Sequence, residues 1–272
     1  MMRCKPLLGT FVEISTGDST NSLDAIENAF KAIEKIQDLM GFHQADTELS
    51  RINALAHIEP VQIHPWTAQV LTIALEIYRE SGGLFNCGIG HHLVEAQLLP
   101  QHSQLNQYDF GSLENLYFLD ATTVRSDLPL CLDLGGIAKG FAVDIAVEIL
   151  KSARVASGCV NAGGDLRVFG NDPQVIHIRN PANPQELIYL GELAEGALAT
   201  SSLYFAKRDM KMGSYMVNAK NKERIDFSDS YSVIARECIY ADALTKVVCI
   251  SENPLHPCLH QFSAQAIRVP IQ

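Results

Sequence analysis

The run Leu132-Asp133-Leu134-Gly135-Gly136-Ile137-Ala138-Lys139-Gly140-Phe141-Ala142-Val143-Asp144 constrains this chain more than any other stretch. Apolar residues lead to a carboxylate, two glycines interrupt them, and an amphipathic segment follows with a lysine in its first turns. The pattern predicts a strand, a Gly-Gly turn and a helix. At such a junction backbone can come close to a ligand, because glycine has no Cβ to hold a phosphate or sugar away. Asp133 and Lys139 flank that approach with opposite charges. Neither a G-x-x-x-x-G-K-[ST] loop nor a G-x-G-x-x-G fingerprint is present. Taken alone, the junction leaves two readings open, a nucleotide site and a plain strand-to-helix turn.

A chain of 272 residues can bury a sizeable core, and an apolar fraction of 47% fits a globular protein. No Gly-, Ser- or Pro-rich linker divides it, so residues 1–272 read as one domain or as two closely joined lobes. A net charge of −10 with no basic stripe excludes a nucleic-acid partner. No apolar run reaches the roughly 18 residues that a membrane span needs. The seven cysteines show no C-x-x-C spacing and sit in apolar segments, which predicts free thiols and a cytoplasmic location. Residues Met1 to Pro6 lack the apolar core of a signal peptide, in keeping with that expectation.

Along the chain, 8–14 reads as a strand. Ser22 reads as the cap of a long helix whose stripe is Ile26, Ala29, Phe30, Ile33, Ile36 and Met40. Pro65 marks a second helix start, and Ser81-Gly82-Gly83 its end. A helix over 137–150 follows the Gly-Gly junction, then strands near 160, 166–169, 175–178 and 187–190, and a last helix over 241–250. Strands with helices set on them indicate an α+β or α/β chain; spacing does not decide between these.

Six motifs in order resemble those of the ApbE family, the FAD:protein FMN transferases, and the resemblance covers nearly the whole chain. They are Met40-Gly41-Phe42-His43 with Asp46-Thr47-Glu48-Leu49-Ser50-Arg51-Ile52-Asn53; Gly83 to Gly90 around Leu84, Phe85 and Asn86; the Leu132–Asp144 run; Val160-Asn161-Ala162-Gly163-Gly164-Asp165-Leu166; Ala197 to Tyr204; and Ala241-Asp242-Ala243-Leu244-Thr245-Lys246. The resemblance implies an α+β fold with a mixed sheet and flanking helices. It implies transfer of FMN from FAD to a Thr or Ser hydroxyl of an acceptor protein, with release of AMP. It also implies a magnesium ion at the pyrophosphate, held at Asp242 and the backbone around Gly136, with Asp242 the catalytic residue. Met40, Leu84, Phe85, Asn86, Asp133, Lys139, Met216 and Lys246 are the implied contacts to the flavin nucleotide.

Three positions depart from the family's pattern. Lys246 stands where the family's A-D-A-L-A-T ends on a threonine, one turn after Asp242, and Thr245 faces elsewhere by about 100°. An ammonium has no lone pair to offer a metal. The stretch Tyr215 to Lys222 lacks the family's histidine, and Asn86 replaces an aspartate. These losses open an alternative, a flavin- or adenine-nucleotide-binding protein without transferase activity. Blander readings stand beside the others. Asp133 could cap the following helix, and Lys139 could be solvated. Lys246 could be a surface residue, and Asn161 and Asp165 could merely shape a Gly-Gly turn. His256-Pro257-Cys258-Leu259-His260 reads as structural for want of further ligands, and His91-His92 as solvent-facing.

Overall fold

The predicted stripe Ile26, Ala29, Phe30, Ile33, Ile36 and Met40 is buried along helix α1 (Ser22–Met40), as the 3.6-residue period requires. The computed structural model describes residues 1–17, 22–102, 109–203 and 216–271. Helix α1 packs on α5 (Ala138–Ser152), and α5 packs on α6 (Cys238–Ser251). Helices α5 and α6 in turn lie against the central strands of a seven-stranded sheet.

That sheet has the order β1 (Met2–Leu7), β2 (Thr10–Thr16), β6 (Gly158–Ala162), β7 (Asp165–Phe169), β10 (Gly196–Ser201), β11 (Ser230–Ala235), β12 (Gln265–Val269). Every ladder in it is antiparallel, so the fold is α+β but the sheet is not the mixed one expected. The chain moves along it by hairpins, with helices inserted between strand groups rather than as parallel crossovers. A three-stranded sheet of β3 (Val61–Gln62), β5 (Thr123–Ser126) and β4 (Leu116–Asp120) lies apart from it, as does the hairpin of β8 (Gln174–Arg179) and β9 (Leu187–Leu193). Helices α2 (Glu48–Leu55), α3 (Pro65–Glu80), α4 (Gly90–Glu95) and α7 (Cys258–Gln261) complete the α-helices among the described residues.

Two local expectations need correction. Leu8 and Gly9 do not open a strand; they are the two-residue turn between β1 and β2, with φ of 55° and 71°. Two successive positive φ values give the turn whose twist suits a hairpin. Strand β1 escaped notice because it is a sheet edge with mostly exposed side chains, so its sequence carries little alternation.

The Leu132 segment is extended but belongs to no sheet. The carboxamide of Asn53, on α2, takes the place of a neighbouring strand: Leu132 N–H donates to Asn53 Oδ1 at 2.7 Å, and Asn53 Nδ2 donates to Leu132 O at 3.0 Å. Asp133 N–H donates to Cys87 O and Gly90 N–H to Cys131 O, both at 2.8 Å. The apolar residues of the run are buried without joining a ladder, and these bonds satisfy much of its backbone. Its neighbour α2 is capped by Thr47, which accepts from Ser50 N–H at 3.1 Å.

Candidate active site

Helices α5 and α6 cap one another. Asp144, on α5, accepts from the backbone N–H groups of Cys238 and Ile239 in the first turn of α6, each at 2.8 Å. Asp242, on α6, accepts from Gly140 N–H in the first turn of α5 at 2.9 Å. Neither helix has a side-chain cap of its own, since Ile137 and Glu237 at the N-caps make no such bond. Each carboxylate thus satisfies orphan donors and sits at the positive end of the opposite helix dipole. Asp144 also pairs with Arg167 of β7 at 2.8 Å. Burial pushes the Asp144 carboxyl up to about 6 against the pull of Arg167 and the two N–H donors.

The mutual caps place two lysines over one patch. Lys139 pairs with Asp165 at the start of β7 and lies 3.7 Å from Asp242 Oδ1. Lys246 reaches back one turn along α6, its ammonium donating to Asp242 O at 2.9 Å and also to Asp242 Oδ1. Asp242 has no exposed surface, whereas the lysine side chains keep 30% (Lys139) and 20% (Lys246) of theirs. Burial opposes the Lys139 ammonium, but Asp165 and Asp242 outweigh it and hold its pKa above the ordinary value. Burial would likewise raise Asp242, and Lys139 and then Lys246 overcome it, so this carboxylate stays ionised below its usual range. For Asp165 burial wins over Lys139, and its pKa is raised.

Above this patch two adjoining cavities of about 510 Å³ and about 440 Å³ share Leu99, Asp133, Gly135 and Lys139 in their walls. Leu84, Phe85, Asn86, Asp133, Gly136, Lys139, Met216 and Lys246 line the larger one, and Met40 lines the smaller. Asp242 lies beneath the floor, reached through the two lysines. Every residue implied as a nucleotide contact therefore meets in one cleft. Thr200, Ser201 and Gly163 line it too; they belong to two of the six motifs but are not among the implied contacts.

The bare Gly135-Gly136 backbone is not demanded by the protein's own packing. A Cβ at Gly136 would meet nothing closer than Lys246 Cε at 3.6 Å, and one at Gly135 nothing closer than Asp133 Oδ2 at 3.3 Å. The opposite holds at the turn between β6 and β7. There Gly163 and Gly164 have φ of 67° and 106°, and a Cβ on Gly163 would lie 2.4 Å from Thr10 Oγ1. Asn161 shapes that turn by accepting from Gly164 N–H at 2.8 Å, as expected, but Asp165 serves as the anchor of Lys139.

Other expectations resolve individually. Asp133 does not cap α5; its Oδ1 accepts from Gly135 N–H at 3.2 Å, and burial raises its pKa. Asn86 caps the short turn Cys87–Ile89, accepting from Gly88 N–H at 2.8 Å while its Nδ2 donates to Ser112 Oγ at 3.0 Å. In that second bond the amide is the donor, whereas an Asp in its place could only accept from the Ser112 hydroxyl. Thr245 is buried on the face of α6 turned to β10, where its hydroxyl accepts from Ser201 Oγ at 3.0 Å. His91 is not solvent-facing: it stacks on Phe110 at 5.1 Å, and its buried Nδ1 has no partner among the described residues. His256 Nδ1 lies 3.1 Å from Cys258 Sγ and accepts from Cys258 N–H, a local turn. Tyr215 and Tyr204, which the motif comparison singles out, lie outside the described residues.

A resident magnesium ion does not fit these side chains as they stand. One oxygen of Asp242 accepts from Gly140 and the other from Lys246, whose ammonium occupies the approach a cation would use. Among the described residues no group of three or more His, Cys, Asp or Glu is placed to hold a metal.

A profile of the ApbE family matches residues 8–259. The chain belongs to the ApbE family. A relative from Vibrio cholerae, named FAD:protein FMN transferase, is 27% identical over 238 residues, covering 79% of this chain and 69% of its own length. A Chlamydia pneumoniae protein of the same name is 24% identical over 264 residues, 92% of this chain and 82% of its own. Among solved structures, the flavin transferase ApbE from Vibrio cholerae superposes with a TM-score of 0.84 at 22% identity, covering 98% of this chain and 92% of that one. The apo flavinyl transferase ApbE of Pseudomonas stutzeri gives 0.80 at 18% identity, with 98% and 91% covered. The ApbE fold is thus shared along the length of the chain, including the two helices that carry the lysine patch.

Proposed function

We propose that this chain is an FAD:protein FMN transferase whose flavin nucleotide lies in the double cleft. The observation that carries the reading is the meeting of Lys139, Lys246 and the open Gly135-Gly136 backbone in a cleft that also has an apolar wall of Leu84, Phe85 and Met216. Diphosphate oxygens suit the first, and a flavin ring suits the wall of Met40, Leu84, Phe85 and Met216. Family membership and the names of the relatives point the same way. In the reaction a Thr or Ser hydroxyl of the acceptor attacks the phosphorus on the FMN side. The bond to the AMP oxygen breaks, AMP leaves, and the hydroxyl proton passes to a base or to water. Asp242 acts by fixing the two lysines rather than by touching the nucleotide, given its complete burial.

Several finer points belong to the same proposal. One contiguous buried core spans helices, sheet and cleft, which supports a single functional unit over 1–272. All seven cysteines carry free thiols, in keeping with a reducing, cytoplasmic setting, and no helix among the described residues is long and apolar enough to cross a membrane. Magnesium remains a candidate additive in the assay rather than a resident ligand. The test is incubation with FAD, magnesium and the acceptor protein of the Vibrio cholerae relative, followed by intact mass of the acceptor and chromatography for AMP. Transfer adds one FMN phosphoryl unit with an equivalent of AMP. FAD binding with neither product would instead mark a nucleotide binder without transfer.

A further inference from the structure

We propose that the ammonium groups of Lys139 and Lys246 form a metal-independent seat for the diphosphate of the bound dinucleotide, with Lys246 standing on Asp242 in the place of a divalent cation. The inference rests on the cleft being the flavin-nucleotide site. It goes further by assigning the donors that hold the diphosphate to the protein alone.

Each lysine is held by a carboxylate that is itself buried, Asp165 for Lys139 and Asp242 for Lys246. Neither ammonium is saturated by its anchor. Lys246 gives two donors to Asp242, and Lys139 gives one to Asp165 while lying 3.7 Å from Asp242. An ammonium carries three N–H groups, so donors remain on both for the cavity they line. The anchors also fix the geometry before any ligand arrives, which lowers the ordering cost of binding an anion. Gly136 supplies the approach: its missing side chain leaves open the space beside Lys246 Cε and Phe85. A cation at Asp242 would have to displace Lys246 from a buried carboxylate, leaving an ammonium to be housed elsewhere in a partly enclosed cleft.

The experiment is calorimetric titration of the full chain with FAD, once in excess EDTA and once in millimolar magnesium, with riboflavin as a probe that lacks phosphate. The parent is expected to bind FAD within about twofold under both conditions. Lys246→Met is expected to weaken FAD about 10- to 100-fold in EDTA and leave riboflavin affinity unchanged. Lys246→Arg, which retains the charge, is expected to keep chelator-insensitive binding and guards against a folding artefact in the first variant. Lys246→Thr is expected to bind weakly in EDTA and to recover at least about tenfold in magnesium, because Asp242 and the new hydroxyl then present oxygen ligands together. A tenfold loss of FAD by the parent in EDTA overturns the inference while leaving the transferase reading intact. So does an unchanged FAD affinity in a folded Lys246→Met protein, or an equal loss of riboflavin. Absence of FAD binding under both conditions overturns both.

Discussion

Gly140 donates its backbone N–H to Asp242 Oδ2 across 2.9 Å, at a point where α5 and α6 run too close for any side chain between them. A Cβ at position 140 would stand 2.3 Å from the carbonyl oxygen of Cys238 and 2.8 Å from Asp242 Cβ. The first of these is backbone, so relief requires the helices to part. Gly140→Ala gains about 1 kcal/mol of helix propensity in principle. Overpacking of this kind costs about 1–3 kcal/mol, and parting the helices also strains the buried bond to Asp242. The expected result in urea unfolding is a net loss of about 1–2 kcal/mol, with weaker FAD binding as the footing of Lys246 shifts. A variant as stable as the parent would show that the two helices slide apart freely.

Asp144 serves two donors on α6 and the guanidinium of Arg167 at once. Asp144→Asn keeps the shape but turns one acceptor oxygen into an NH2 facing an N–H. It also strips Arg167 of its buried partner, leaving Glu148 at 3.5 Å as the remaining carboxylate. Its stability relative to the parent, read by denaturant unfolding, is expected to be more favourable at pH 7 than in mild acid, because burial opposes the parent's ionised carboxylate. The pH dependence has a definite sign. With its folded pKa raised to about 6, Asp144 binds a proton more readily in the native state than in the unfolded chain. Its contribution to stability therefore falls as pH rises from the ordinary carboxylate range to about 6. The parent should show that decline more steeply than Asp144→Asn does.

How much of this was legible beforehand follows from where the information resides. Helix α1 announced itself through six apolar residues at one period, and α3 through Pro65 at its first turn, because both signals are local. The Gly-Gly junction announced the turn that leads into α5, but the strand expected before it is an extended segment held by Asn53, some 79 residues earlier. No window on the sequence contains that pairing. The same holds for the mutual capping of α5 and α6, with Asp144 and Cys238 94 residues apart. Asp165 reads locally as a turn residue because its neighbours Gly163 and Gly164 explain it, while its partner Lys139 lies 26 positions away. Lys246 was different: at i+4 from Asp242 the pair shares a helix face, so their contact could be read directly.

His91 offers a titration opposite in sign to that of Asp144. Burial, and then its neighbour His92, lower its pKa to about 4, against 6.5 for a free imidazole. Between those values the unfolded chain takes up a proton that the native state refuses, so stability rises with pH through this window and is lost as pH falls. His91→Phe keeps an aromatic ring against Phe110 and removes the proton. Thermal midpoints measured from pH 4.5 to 7 should rise less steeply in the variant than in the parent. Parallel curves would mean that His91 takes up its proton equally in the folded and unfolded chain, contrary to the burial of its Nδ1.

Lys139 tests the cleft and the core together, and the two effects can be separated. Lys139→Ala removes one ammonium from the cavity wall and should weaken FAD by about 1–3 kcal/mol in calorimetry, the size of a lost charge-assisted contact. It also leaves Asp165 buried without its cation. The Asp165 pKa is already raised by burial, and losing Lys139 removes the largest force holding it down. A carboxylate with a raised folded pKa costs more as it ionises, so the variant should lose stability with rising pH and regain it in mild acid. Adding Asp165→Asn should flatten that pH dependence, because the buried group no longer ionises. It should not restore FAD affinity, because the missing donor is on Lys139. If the double variant recovers both stability and FAD binding, then Lys139 serves only to neutralise Asp165, and the cleft binds its nucleotide without it.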